Sequence, residues 1–104
     1  MALANGANTV AMFLVDNFYG AVYELFVTDD AGALYTSILT VNHDGTTGAD
    51  ANVTNWTEAN VVVTGSVGCT FSCTLTGSAG TQAVNLIATA GAAGKTLRWA
   101  RRLY

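Results

Sequence analysis

Apolar and polar residues alternate along most of this chain with a period of two, the spacing at which side chains fall on opposite faces of a β-strand. The clearest case is Cys69–Thr76, where Cys69, Phe71, Cys73 and Leu75 point one way and Thr70, Ser72, Thr74 and Thr76 the other. Thr9–Val15 reads as a short apolar strand after a polar Asn-Gly-Ala-Asn lead. Gly20–Thr28 places Tyr23, Leu25 and Val27 on one face and Val22, Glu24 and Phe26 on the other. The turn signal Asp29-Asp30-Ala31-Gly32 then leads into a strand over Ala33–Asn42, so these two predict a hairpin. His43–Asp50 reads as a loop, Ala51–Trp56 as a short strand, and Asn60–Thr64 as a β-branched one. Ala83–Thr89 and Thr96–Leu103 complete the set.

Three turn clusters, Thr64–Gly68, Thr76–Gly80 and Thr89–Gly94, start 12 and then 13 residues apart. That rhythm of one strand and one turn belongs to an antiparallel β-sandwich or barrel. The prediction is an all-β antiparallel β-sandwich of seven or eight short strands, jelly-roll-like in outline. Residues 1–8 form an N-terminal arm, and residues 9–104 a single sandwich domain.

Composition agrees with strands. Fifteen Thr suit the solvated face of a sheet, while eleven Gly and eight Asn supply turns, and no Pro interrupts a ladder. Hydrophobic residues make up 51% of the chain and charged ones only 11%, which excludes a disordered chain. So little charge also leaves a lone copy with a sticky surface, and points to assembly with other chains. No basic start precedes an apolar stretch as in a signal peptide, and Val10–Val15 is too short to cross a bilayer. Neither a membrane nor nucleic acid is an expected partner.

The charges are segregated. All seven acidic residues precede position 95, and all four basic ones, Lys95, Arg98, Arg101 and Arg102, lie within residues 95–104. Alternation puts Arg98 and Arg102 on one face of the last strand and Leu97, Trp99, Arg101 and Leu103 on the other. Three roles compete for the arginines: pairing with acidic hairpin residues of the same chain, reaching an acidic neighbouring subunit, or binding phosphate. Four charges on an acidic chain make a weak footprint for nucleic acid. Arg and Trp favour interfaces, so Arg98, Trp99, Arg101 and Arg102 are the candidate subunit contacts.

Candidate chemistry is sparse, and no enzymatic activity is expected. His43, the one histidine, reads as a solvated loop residue with no marked nucleophile. Asp44–Asp50 loosely matches a calcium loop but lacks its ladder of acidic residues. Cys69 and Cys73, four apart in a strand, are separated by about 13 Å, beyond disulfide reach of about 7 Å. They read as buried free thiols. No cofactor or metal site is expected. His43, Asp44 and Trp56 are the candidate loop contacts, with Trp56 as a stacking platform.

The runs Gly68-Cys69-Thr70-Phe71-Ser72-Cys73-Thr74-Leu75-Thr76-Gly77 and Gly91-Ala92-Ala93-Gly94-Lys95-Thr96-Leu97-Arg98-Trp99-Ala100-Arg101 resemble the closing strands of small β-sandwich domains in tailed-phage virion appendages. These are tail fibres, head fibres and capsid decoration proteins. The resemblance covers about a third of the chain. It implies a virion surface protein, made in the host cytoplasm and commonly a homotrimer, that contacts other virion proteins such as the major capsid protein or tail proteins. The start at Met1 close to the first strand, without shaft repeats or heptads, favours a capsid decoration (cement) or head-fibre protein. The alternative is a receptor-binding module of a tail fibre, whose loops His43–Asp50 and Gly77–Gln82 contact a host surface glycan or protein.

Overall fold

The alternating segments become eight antiparallel strands and no helix in a computed structural model that describes residues 1–104. The strands are β1 (Ala2–Leu3), β2 (Gly6–Leu14), β3 (Gly20–Asp29), β4 (Leu34–His43), β5 (Thr54–Thr64), β6 (Cys69–Thr76), β7 (Ala83–Ala90) and β8 (Lys95–Leu103). They form a five-stranded sheet in the order β1-β8-β3-β4-β5 and a three-stranded sheet in the order β2-β7-β6. The two pack face to face as a β-sandwich. β3, β4 and β5 run as a meander, β6 and β7 as a hairpin, and β8 returns to lie beside β3.

The parity read from the sequence sets the core. Tyr23, Leu25 and Val27 of β3, Leu39 and Val41 of β4, Phe71 of β6, and Val84, Leu86 and Ala88 of β7 all face inward and are buried. With Leu97 of β8 they belong to one cluster of 20 buried residues. The predicted hairpin forms in register from Gly20 opposite Asn42 to Thr28 opposite Leu34. Its turn is closed by Asp29, whose carboxylate accepts from the Ala31 and Ala33 amides at 3.0 and 2.8 Å. Gly32 supplies the positive φ (86°) that the turn requires.

Three features differ from the sequence reading. Ala51–Trp56 and Asn60–Thr64 are not separate strands, because β5 is one strand with a bulge between Ala59 and Val62. Asn60 occupies the bulge in the left-handed region (φ 54°), which Asn tolerates better than most residues. The extra residue shifts the phase by one, so inward positions are even before the bulge and odd after it. A period-two reading therefore breaks there. Second, residues 1–8 are taken up by the sheets: β1 pairs with β8, and β2 starts at Gly6. Third, the meander and the five-plus-three division depart from the two four-stranded sheets of a regular jelly roll.

The sheets are unequal in width, so the large one overhangs the small one. Inward-facing Trp56, Val61 and Val63 on β5 stay 41–49% exposed. Trp99, inward on β8, stays 36% exposed. The outer face of the large sheet has no covering layer, and Phe26, Leu34 and Val62 are exposed there.

Neighbouring positions on β4 give a direct test of the parity. Leu39→Ala is expected to lower the unfolding free energy by about 2–5 kcal/mol through lost burial and a cavity. Thr40→Ala, on the outer face, is expected to change it by less than about 1 kcal/mol. Urea unfolding followed by tryptophan fluorescence reads both, and equal effects would contradict the register.

Candidate functional site

Two regions gather the polar and aromatic side chains: one end of the sandwich, and strand β8. At the end, three connections meet: 15–19 between β2 and β3, 44–53 between β4 and β5, and 77–82 between β6 and β7. His43 closes β4 just before the second of these. It is not a solvated loop residue, since only 9% of it is exposed. Its Nε2 lies 2.6 Å from the Phe18 carbonyl, and its Nδ1 accepts from the Gly45 amide at 3.1 Å. A carbonyl can only accept and an amide can only donate, so these contacts select the tautomer with its proton on Nε2. Tyr19 stacks on it at 6.3 Å between centroids, and Phe13 lies at 6.1 Å. His43 thus ties the first connection to the second. Gly45 is needed at that approach, because a Cβ there would sit 2.7 Å from Val15 Cγ1 and 2.8 Å from the Ala51 nitrogen.

Carboxylates and one carboxamide bind the remaining loop backbone. Asp44 accepts from the Asn52 and Val53 amides at 2.7 and 2.9 Å. Those two bonds pull its carboxyl below the ordinary carboxylate value. Asp50 accepts from the Ala79 amide at 3.0 Å. Gln82, a buried residue that the sequence did not single out, grips Ala51 from both sides. Its Oε1 accepts from the Ala51 amide at 2.6 Å, and its Nε2 donates to the Ala51 carbonyl at 2.8 Å. The structure thus places His43 and Asp44 at the same end as the 77–82 connection, which Asp50 and Ala51 contact directly. Trp56, however, lies two residues into β5 rather than in a loop. No group of three or more His, Cys, Asp or Glu side chains is arranged to hold a metal ion.

The four candidate contacts on β8 divide between its faces as alternation requires. Trp99 and Arg101 face inward, where Trp99 lies 6.1 Å from the Tyr23 ring and the Arg101 guanidinium sits 5.8 Å above the indole. Arg101 Nη1 also donates to the Met12 carbonyl on the edge of β2 at 2.9 Å. Arg98 and Arg102 face outward, diagonal to Glu24, whose direct partner across the ladder is Ala100. Both are exposed, and neither makes a hydrogen bond within the chain. Glu24 is the acidic hairpin residue diagonal to both, while Asp29 gives its carboxylate to its own turn.

The inner edge between β5 and β6 carries a second pair that the sequence did not reveal. Tyr35 on β4 donates its hydroxyl to Glu58 Oε2 at 2.6 Å and lies 6.1 Å from Phe71. Burial, and then the Glu58 carboxylate, push the Tyr35 phenol up to about 12. Cys69 and Cys73 are free and buried, as expected from their spacing. Burial, with Glu58 adding to it, pushes the Cys73 thiol up to about 12, so it is a poor nucleophile at neutral pH.

No protein-family model, curated protein or solved structure matches this chain.

Two measurements check this site. His43→Phe keeps the ring stack but strands the Phe18 carbonyl and the Gly45 amide. It is expected to lower stability by about 1–3 kcal/mol and to speed hydrogen exchange in the 44–53 connection. The alkaline side has a definite sign. Cys73 and Tyr35 keep their protons when folded to about 12, against 9.0 and 10.0 for the free groups. The native state then holds more protons than the unfolded one, so stability falls as pH rises from about 9 towards 12. The urea midpoint should drop over that range, and drop less in Cys73→Val. A midpoint that stays flat would contradict the burial of these groups.

Proposed function

We propose that this chain is a non-enzymatic structural protein of a tailed-phage virion surface, a capsid decoration (cement) or head-fibre protein that assembles as a homotrimer and works by binding alone. The observation that carries the reading is β8. It presents Arg98 and Arg102 outward with no hydrogen bond in their own chain, beside exposed Phe26 on the uncovered face of the large sheet. Apolar surface rimmed by unpaired arginine is the composition of an interface core rather than of a monomer's outer wall. The sequence resemblance to virion appendages supplies the setting. The non-enzymatic part is supported by the polar groups themselves. Both nitrogens of His43 are engaged by backbone, so neither is free to act as a general base.

A second reading, a receptor-binding module of a tail fibre, is favoured by one feature. The connections 44–53 and 77–82 are braced against each other by Asp50 and Gln82. Loops held rigidly at one end of a sandwich are a common way to present a binding surface. In that reading the ligand is a host glycan or surface protein.

Copy number separates the two. Quantitative mass spectrometry of purified particles is expected to give hundreds of copies for a capsid protein, and a few multiples of three for a tail tip. The interface itself is tested by Arg98→Ala combined with Arg102→Ala. Sedimentation should show self-association weakened by about ten-fold or more, with unfolding free energy changed by less than about 1 kcal/mol. Unaltered sedimentation would overturn the role given to β8.

A further inference from the structure

The two lateral edges of the large sheet differ in charge and match in geometry. At one edge β1 covers only the start of β8: Ala2 and Leu3 pair with Thr96 and Lys95, and Met1 exchanges two backbone bonds with Leu97. Arg98–Leu103 is therefore a free edge of six residues. Because Leu97 turns its amide and carbonyl outward to Met1, the same groups of Trp99, Arg101 and Leu103 point outward too. At the opposite edge lies β5, which has no partner on its far side. Its segment Thr54–Ala59, ahead of the Asn60 bulge, is also six residues long. The Asp44 amide donates to the Val53 carbonyl, so odd positions of β5 face β4, and Thr54, Trp56 and Glu58 turn their backbone groups outward.

Every neighbouring pair in this sheet is antiparallel, so β5 and β8 run in opposite directions. A second copy placed alongside in the same orientation brings its β8 against β5 as an antiparallel strand, with inner faces on the same side. We infer that copies of this chain join in this head-to-tail way, β5 of one receiving β8 of the next to make a continuous sheet. The inference rests on the assembly role proposed for β8, and it adds the surface that β8 meets. The six free residues on each side pair Thr54 with Leu103, Trp56 with Arg101, Thr57 with Ala100, and Glu58 with Trp99. On both strands the outward-turned backbone groups coincide with inward-turned side chains, so the ladder and the faces agree.

Charge selects this pairing over the symmetric ones. β5 holds one charge, Glu58, and β8 holds only basic ones. Two copies of β5 on a two-fold axis would leave Glu58 without a cation across the ladder, and two copies of β8 would set arginines against arginines. Head-to-tail pairing places Arg101 diagonal to Glu58 and over the exposed Trp56 indole, a cation–π arrangement like the one it already makes with Trp99. A heterologous contact of this kind closes into a ring, such as a trimer, when its rotation allows.

The test is oxidative cross-linking of Thr57→Cys and Ala100→Cys, two solvent-facing positions that the pairing sets opposite one another. Within one chain they lie three strands apart, about 14 Å, beyond the roughly 7 Å a disulfide spans. The native thiols are buried. Mixing the two single variants is expected to give a disulfide-linked dimer, with neither variant cross-linking alone. A Thr57→Cys dimer formed by itself would overturn the inference in favour of a two-fold β5 contact. No cross-link in a sample that still sediments as an oligomer would overturn it and leave the assembly role of β8 standing. No cross-link in a sample that sediments as a monomer would remove both.

Discussion

A backbone amide or carbonyl at a strand edge must find water or another strand, and an apolar side chain on a sheet face must find water or another layer. In this protein both demands are met at the centre and unmet at the rim, because a five-stranded sheet is stacked on a three-stranded one. Where the small sheet lies beneath β3 and β4, inward residues such as Val27 and Leu39 are completely buried. Where it does not reach, inward residues on β5 and β8 stay exposed even though their parity is that of core positions. The same chain thus contains a well-filled interior and two flanks built of interior-type residues.

That mismatch explains the composition better than strand content does. An 11% share of charged residues is low for a surface in water, and the side chains that replace charge are not scattered. Val61, Val62 and Val63 follow one another on the free edge β5, which carries no Lys and no Pro, and Glu58 is its one charge. Its only devices against strand addition are the single inward charge of Glu58 and the Asn60 bulge in its middle. The bulge does not close the edge. It divides it, leaving a regular six-residue stretch at the start.

The fold was legible in the sequence wherever alternation ran unbroken. The parity of β3, β6 and β8 and the β3–β4 hairpin follow from residue order, because a half-buried sheet leaves no freedom about which residues face in. The bulge at Asn60 was not legible, since one extra residue reverses parity and makes one strand look like two. His43 was misplaced for a similar reason. Asp44-Gly45 after it signals a turn, but the ring is buried through Phe18, Tyr19 and Gly45, and the first two of these lie more than twenty residues away. Gln82 gave no signal at all: a lone glutamine beside a Gly-rich turn reads as solvent-facing, and only the approach of Ala51 makes it a clasp. The segregation of charge was visible at once, whereas the strand proposed to receive β8 was not. It depends on which strand ends up at the far edge, a property of sheet order rather than of local sequence.

Sheet order also separates the braced end of the molecule from its free edges. The connections 15–19, 44–53 and 77–82 meet at one end and are held by contacts among themselves: His43 to Phe18, Gln82 to Ala51, Asp50 to Ala79. None of these bonds involves the free edges. β5 and β8 carry their outward groups along the sides of the sheet, at right angles to that end. A protein arranged in this way can join its neighbours edge to edge while its braced loops stay free to meet something else. The capsid reading and the receptor reading would then use different surfaces of the same molecule, and the lateral contact proposed above is compatible with both.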